Sequence, residues 1–175
     1  MCKNRVISVI ANVYIAVLRG SPVLMLLMLM YYVVFARSPL DAYWVAIITF
    51  SLNVSAYIAE ALRSAINATE HGQVEAARTL GFSKRQAFFY VTLPQAIRIG
   101  KPVYESIIIN LIQWTSVVGY VTITDLTRVI NNVASRTMQP VIMIIVGMIL
   151  YLAMAYVVKL IFWITDRKER REGLR

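Results

Sequence analysis

The chain has 175 residues, one domain's worth, and 59% of them are apolar, above the roughly 45–50% of a soluble protein. Charged residues make up only 15% against about 25% in soluble domains, and the apolar residues are clumped rather than periodic, so a lipid bilayer is the natural solvent. The net charge of +9 does not indicate nucleic acid, because the cations fall between apolar runs rather than among aromatics along a groove; one Cys and one His exclude a disulfide framework and a zinc site.

Val6 to Leu18 is apolar apart from Ser8 and Asn12. These roughly 13 residues fall short of the about 20 that cross a bilayer core, so segment 1–20 reads as an interfacial or connecting helix. Nothing in it resembles a cleavable signal. Arg19, Gly20, Ser21 and Pro22 interrupt the run, and proline suits the first turn of a new helix. A first span then extends from about Ser21 to Phe35 or Ala36. Arg37 to Asp41, with Pro39, is a turn. The second span, Ala42 to Leu62, carries Asn53, Ser55, Tyr57 and Glu60. A polar loop occupies 63–101, and Pro102 marks the start of the next helix. The third span is Val103 to Ile123, with Glu105, Asn110 and Gln113 inside it. Asp125 to Gln139 is polar and external; Pro140 opens a fourth span, Val141 to Ile164, and a charged tail fills 166–175.

Four spans place both termini and the central loop on one side. Fifteen of the eighteen cations then lie on that side, with only Arg37, Arg128 and Arg136 opposite. The positive-inside rule makes the crowded side cytoplasmic.

Within the loop, Gln73 to Leu80 has good helix propensity, Gly81 suits a left-handed helix-ending position, and Ser83 can cap a second helix from Lys84 to about Thr92. Leu93 and Pro94 are read as its end. Ala76 and Ala77 offer a small surface flanked by Glu75 and Arg78, which fits a groove on a cytoplasmic partner. The competing reading, an amphipathic helix lying on the membrane, needs more large apolar residues at helical spacing than the loop has.

Thr49, Asn53, Tyr57 and Glu60 share one face of the second span, as do Ser106, Asn110 and Gln113 of the third. Polar groups in hydrocarbon need partners, so both faces look at protein or water. A solute pathway and plain interhelical hydrogen bonding are both open. Glu60 and Arg63, three residues apart, are read as an ion pair on one helix. Glu105 has Lys101 one turn back as its candidate partner.

Tyr57, Ile58, Glu60, Arg63, Ile66, Gly72, Gln73, Glu75, Ala76, Ala77, Leu80, Gly81, Leu93, Pro94, Gln95, Ala96 and Pro102 together resemble the permease subunits of ATP-binding cassette importers for polar amino acids, the histidine/glutamine permease-like group. Arg19 to Pro22, with Thr115 and Ser116, extend the match over nearly the whole chain. The resemblance implies an all-α polytopic membrane protein of one permease domain, 1–175, with the helical bundle of a type I importer permease. About four transmembrane helices are present where the family usually has five. The resemblance begins after the first of those, which points to an incomplete chain rather than a shortened variant.

It implies that Gly72, Gln73, Glu75, Ala76, Ala77, Leu80, Gly81, Leu93 and Pro94 form a coupling element docking on a cytoplasmic ATPase dimer. The chain would then be no enzyme: it has no phosphate-binding loop of its own, and ATP and magnesium would be held by the partner. A second permease, identical or similar, and an extracytoplasmic amino acid-binding protein are the other implied partners, in a bacterial inner membrane with loop and C-terminus cytoplasmic. Asn53, Tyr57, Glu105, Asn110, Gln113, Thr115 and Ser116 are the candidate substrate pathway. Many relatives have asparagine at Glu105 and lysine at Gln113, so the third span is more negative here, which favours a cationic or zwitterionic solute. The contrasting function class is a membrane-embedded structural or pore-forming protein that needs no ATPase.

Overall fold

The structure is a computed structural model that describes residues 5–172, the side chains of His71 and of residues 168–172 excepted. Of the cations that set the predicted orientation, Lys3 and Arg175 lie outside the described residues, as do the side chains of Lys168, Arg170 and Arg171. Eight α-helices are described and no strand.

Helix α1 (Arg5–Gly20) ends at the Gly-Ser-Pro interruption, and α2 (Val23–Leu29) leaves at a bend of 108°. Proline at 22 has no N–H to donate, so the turn costs the chain no backbone bond there. One π-helical turn, Met30–Val34, completes the first apolar segment. Helix α3 (Ala42–Asn67) outruns its predicted end by five residues because Arg63, Ser64, Ala65, Ile66 and Asn67 meet no breaker. It leads through a short turn into the pair α4 (His71–Thr79) and α5 (Lys84–Ala87).

Two predicted boundaries are corrected. Leu93 and Pro94 do not end a helix, and Pro102 does not begin one: α5 passes through a π-helical turn, Phe88–Thr92, into α6 (Leu93–Trp114). Pro94 sits in the first turn of α6, where a missing N–H is tolerated, and the wider π turn before it makes room for the ring. Pro102 lies inside α6, and its own carbonyl takes a bond from the Ser106 hydroxyl at 3.0 Å. The third apolar run then tightens into a 3-10 segment, Thr115–Val121, closed by Thr122 at φ 68°.

The polar stretch after it contains a helix that the sequence reading missed. Helix α7 (Leu126–Thr137) is capped by Asp125, whose carboxylate accepts from the N–H groups of Thr127 and Arg128, both at 3.1 Å. Its Ile130 is seated against Gly147 of α8 (Pro140–Glu172), where a β-carbon would come within 2.8 Å of it.

Among the described residues two helices, α3 and α8, are long and apolar enough to cross a membrane, and up to four spans result if each bent pair counts as one. Leu27, Ala42, Ala46, Phe50, Val118, Val121 and Ile123 form the core where α2, α3 and the 3-10 segment meet. Most of α8 is apolar and exposed, as a lipid-facing helix must be.

Candidate functional sites: a polar cavity and an exposed helical hairpin

Where α1 breaks, its last residues meet α3 and the end of α6 around an open cavity of about 300 Å³, lined by Arg19, Gly20, Ser21, Pro22, Val23, Asn53, Tyr57 and Trp114. The residues of the 108° break, Gly20 to Pro22, form one side of the cavity. Asn53 is 1% exposed, and its Nδ2 donates to the Leu18 carbonyl at 2.8 Å. Its Oδ1 is buried with no hydrogen-bond partner among the described residues. A buried acceptor left unpaired costs free energy, so the arrangement favours a donor delivered into the cavity.

Tyr57 and Trp114 form the aromatic wall, with ring centroids 5.4 Å apart. The Arg19 guanidinium lies over the Tyr57 ring, 5.3 Å from its centroid. Arg19 Nη1 is also 3.9 Å from Glu60 Oε1, and Arg63 Nη1 is 3.6 Å from Glu60 Oε2. Arg63 in turn donates to Asn12 Oδ1 at 2.7 Å. Tyr14 joins the seam between α1 and α3, its hydroxyl 2.7 Å from Ser55 Oγ.

Of the predicted pathway residues, the structure brings Asn53 and Tyr57 together in this cavity. Glu105, Asn110, Gln113, Thr115 and Ser116 lie outside its lining. Asn110 and Gln113 are exposed on α6, and the Thr115 hydroxyl is turned back to the Ile112 carbonyl at 2.6 Å. Lys101, the predicted partner of Glu105, pairs with Asp166 of α8 instead, because α8 brings that carboxylate to the same turn. Thr49 is fully buried and satisfied by the Val45 carbonyl at 2.7 Å. The other six lining residues, Arg19 to Val23 and Trp114, were not predicted as pathway residues, and Arg19 and Trp114 are the two with large side chains that shape the cavity. Arg19 was legible as a cation at a helix break; nothing marked Trp114 beyond its place next to Gln113.

The second site is the α4–α5 hairpin. Helix α4 ends in a Schellman turn: Gly81 takes φ +91°, its N–H donates to the Arg78 carbonyl at 3.2 Å, and the Phe82 N–H donates to the Ala77 carbonyl at 3.2 Å. Ser83 then starts α5 through a capping box, accepting from the Gln86 N–H at 3.2 Å while Gln86 Oε1 accepts from the Ser83 N–H at 2.8 Å. Gln73 tethers α4 to α6 by accepting from Gln95 Nε2, and it donates to Glu70 at 3.0 Å. Ala77 packs inward, while Gly72, Gln73, Glu75, Ala76 and Gly81 face outward. Leu93 is half-buried and Pro94 exposed where α6 begins. Leu80 is 81% exposed and Tyr90 72% exposed, beside Phe82 and Phe89. Exposed apolar side chains on a polar hairpin are a feature of surfaces that meet another molecule.

The sequence matches the family described as binding-protein-dependent transport system inner membrane component over residues 1–171. The chain belongs to that family. It is 31% identical to the L-cystine transport system permease protein TcyB of Bacillus subtilis (strain 168), over 96% of this chain and 73% of that protein. It is 34% identical to the histidine/lysine/arginine/ornithine transport system permease protein HisM of Salmonella typhimurium (strain LT2), over 78% of this chain and 56% of that protein. A crystal structure of an amino acid ABC transporter with histidines superposes with a TM-score of 0.84 at 30% identity, covering 96% of this chain and 79% of that one. The permease is therefore an all-helical membrane protein with the importer permease fold. Its family places it as a transport subunit in the inner membrane, and no group of metal-ligating residues occurs among the described residues.

Proposed function

We propose that this permease is the membrane subunit of an ATP-driven, binding-protein-dependent amino acid importer. The observation that carries the reading is the α4–α5 hairpin: a capped, outward-facing element that leaves a large apolar side chain, Leu80, 81% exposed. It sits at the end of α3, the helix that also lines the cavity through Asn53 and Tyr57. A cytoplasmic ATPase dimer takes the hairpin, and closure of the two ATPases on ATP and magnesium moves α3 and α6 together, switching access to the cavity. A second permease, self or homologue, completes the path, since Asn110 and Gln113 need cover from lipid. An extracytoplasmic binding protein delivers the solute, and the hairpin and C-terminus are cytoplasmic.

The cavity suits an α-amino acid. Arg19 supplies a cation for the carboxylate, Asn53 Oδ1 an acceptor for the ammonium, and the rings of Tyr57 and Trp114 a wall for the rest. The relatives named above, permeases for L-cystine and for histidine, lysine, arginine and ornithine, fit that class. The test is Gly81→Asp, which puts a charged side chain on a left-handed residue of the hairpin. The variant should reach the membrane, lose the copurifying ATPase and lose uptake of labelled amino acid. Retention of both would overturn the reading.

A further inference from the structure

Glu60 stands one turn from Tyr57 on α3 and lies outside the cavity lining, yet it reaches Arg19, the one charged residue within that lining. Its two carboxylate oxygens serve two cations: Oε1 faces Arg19 at 3.9 Å and Oε2 faces Arg63 at 3.6 Å. Neither contact has the length of a tight charge-assisted bond. Arg63 is held independently by Asn12 Oδ1 at 2.7 Å, so it keeps its place whichever way Glu60 leans. Arg19 has no such second polar anchor in its described contacts; it rests on the Tyr57 ring, facing the cavity.

We propose that Glu60 is a built-in stand-in for the solute's carboxylate, holding Arg19 while the cavity is empty and yielding it to an α-amino carboxylate by turning to Arg63. This rests on the amino acid cavity proposed above. The solute's carboxylate then exchanges one ion pair for another, and Glu60 passes from a residue at the cavity mouth to one bound to α3 and α1. Since α3 runs straight on to the docking hairpin, occupancy of the cavity changes the charge balance on the helix that carries the hairpin. Glu60 is thus a positioning residue, acting through Arg19 rather than on the solute.

The test is binding of the standard L-amino acids and L-cystine, each beside its decarboxylated amine, to the intact transporter complex in lipid nanodiscs. Glu60→Gln frees Arg19 and should tighten carboxylate-bearing solutes about two- to fivefold, the scale of a solvent-accessible ion pair. The amines should not respond. Arg63→Gln removes the alternative partner, keeps Glu60 on Arg19 and should weaken the same solutes by a similar factor, while Arg63→Lys restores them. A merely structural role predicts weakening by both Glu60→Gln and Arg63→Gln, with amines and amino acids affected alike, and that result overturns the proposal with the cavity reading intact. If no amino acid binds in a manner sensitive to Arg19→Gln, the cavity reading and the Glu60 inference fall together.

Discussion

The cavity and the hairpin are joined by one helix and built on opposite terms. Around the cavity nearly every polar group is engaged by the chain itself: Asn53 with Leu18, Arg19 with Glu60 and Tyr57, Arg63 with Asn12. On the hairpin the Schellman turn and the capping box hold the backbone and Gln73 ties α4 to Gln95 and Glu70, while apolar side chains such as Leu80 are left to solvent. On the reading proposed here, one region holds a small polar solute by exchanging partners. The other is a stiff frame presenting an apolar surface, which is what rigid-body docking requires. Substitutions should therefore separate function from stability in the hairpin and couple the two in the cavity.

The largest effect is expected from Leu80→Asp. At 81% exposure this side chain contributes little to the fold, so thermal unfolding of the purified permease should not change. As a central apolar contact with an ATPase it should cost about 2 kcal/mol or more of binding, which is more than tenfold in affinity. Loss of ATPase copurification at unchanged melting temperature supports the contrast; a lowered melting temperature with attachment retained would break it.

Next comes Gly81→Ala. No atom lies within 4 Å of the β-carbon it would add, so the cost is conformational alone. Holding alanine at φ +91° should cost about 1–2 kcal/mol, read as faster amide exchange in α4 with little change elsewhere. Asn53→Leu should behave in the opposite manner. It removes the donor to the Leu18 carbonyl and the acceptor from the cavity wall, so melting temperature and uptake should fall together, with a stability loss of about 1 kcal/mol.

The sequence was most readable where local chemistry decides structure. Gly81 and Ser83 announced the turn and the cap because each residue type has one strong reason to stand there, and the face shared by Asn53 and Tyr57 followed from helical period alone. It was least readable at the prolines. Pro94 and Pro102 carry the signature of helix boundaries, yet a π turn and the tolerance of a first-turn proline let one helix run through both. Helix α7 was hidden by its polarity, although Asp125 and the apolar spacing of Leu126, Val129, Ile130 and Val133 were available signals. The partner of Lys101 could not be read at all, since Asp166 is 65 residues away and only the packing of α8 on α6 brings it near. Trp114 entered the cavity for the same reason: the packing of α6 on α3 sets its ring against Tyr57, a tertiary fact rather than a local one.

The smallest effect sharpens the hairpin side of the comparison. Ser83→Ala deletes the hydroxyl that accepts from the Gln86 N–H and leaves the Gln86 side chain bonded to the backbone at 83, so half of the capping box survives. A lost cap costs about 1 kcal/mol, and the surviving half keeps the loss toward the low end of that range. Helix α5 has only four residues, so the loss should appear as faster amide exchange confined to Lys84–Ala87 while α4 and its glycine turn keep their protection. If the hairpin is a single stiff frame, ATPase attachment should weaken in step with that exchange. If attachment is untouched while α5 frays, the docking surface belongs to α4 and Leu80 alone, and α5 serves only to carry the chain into α6.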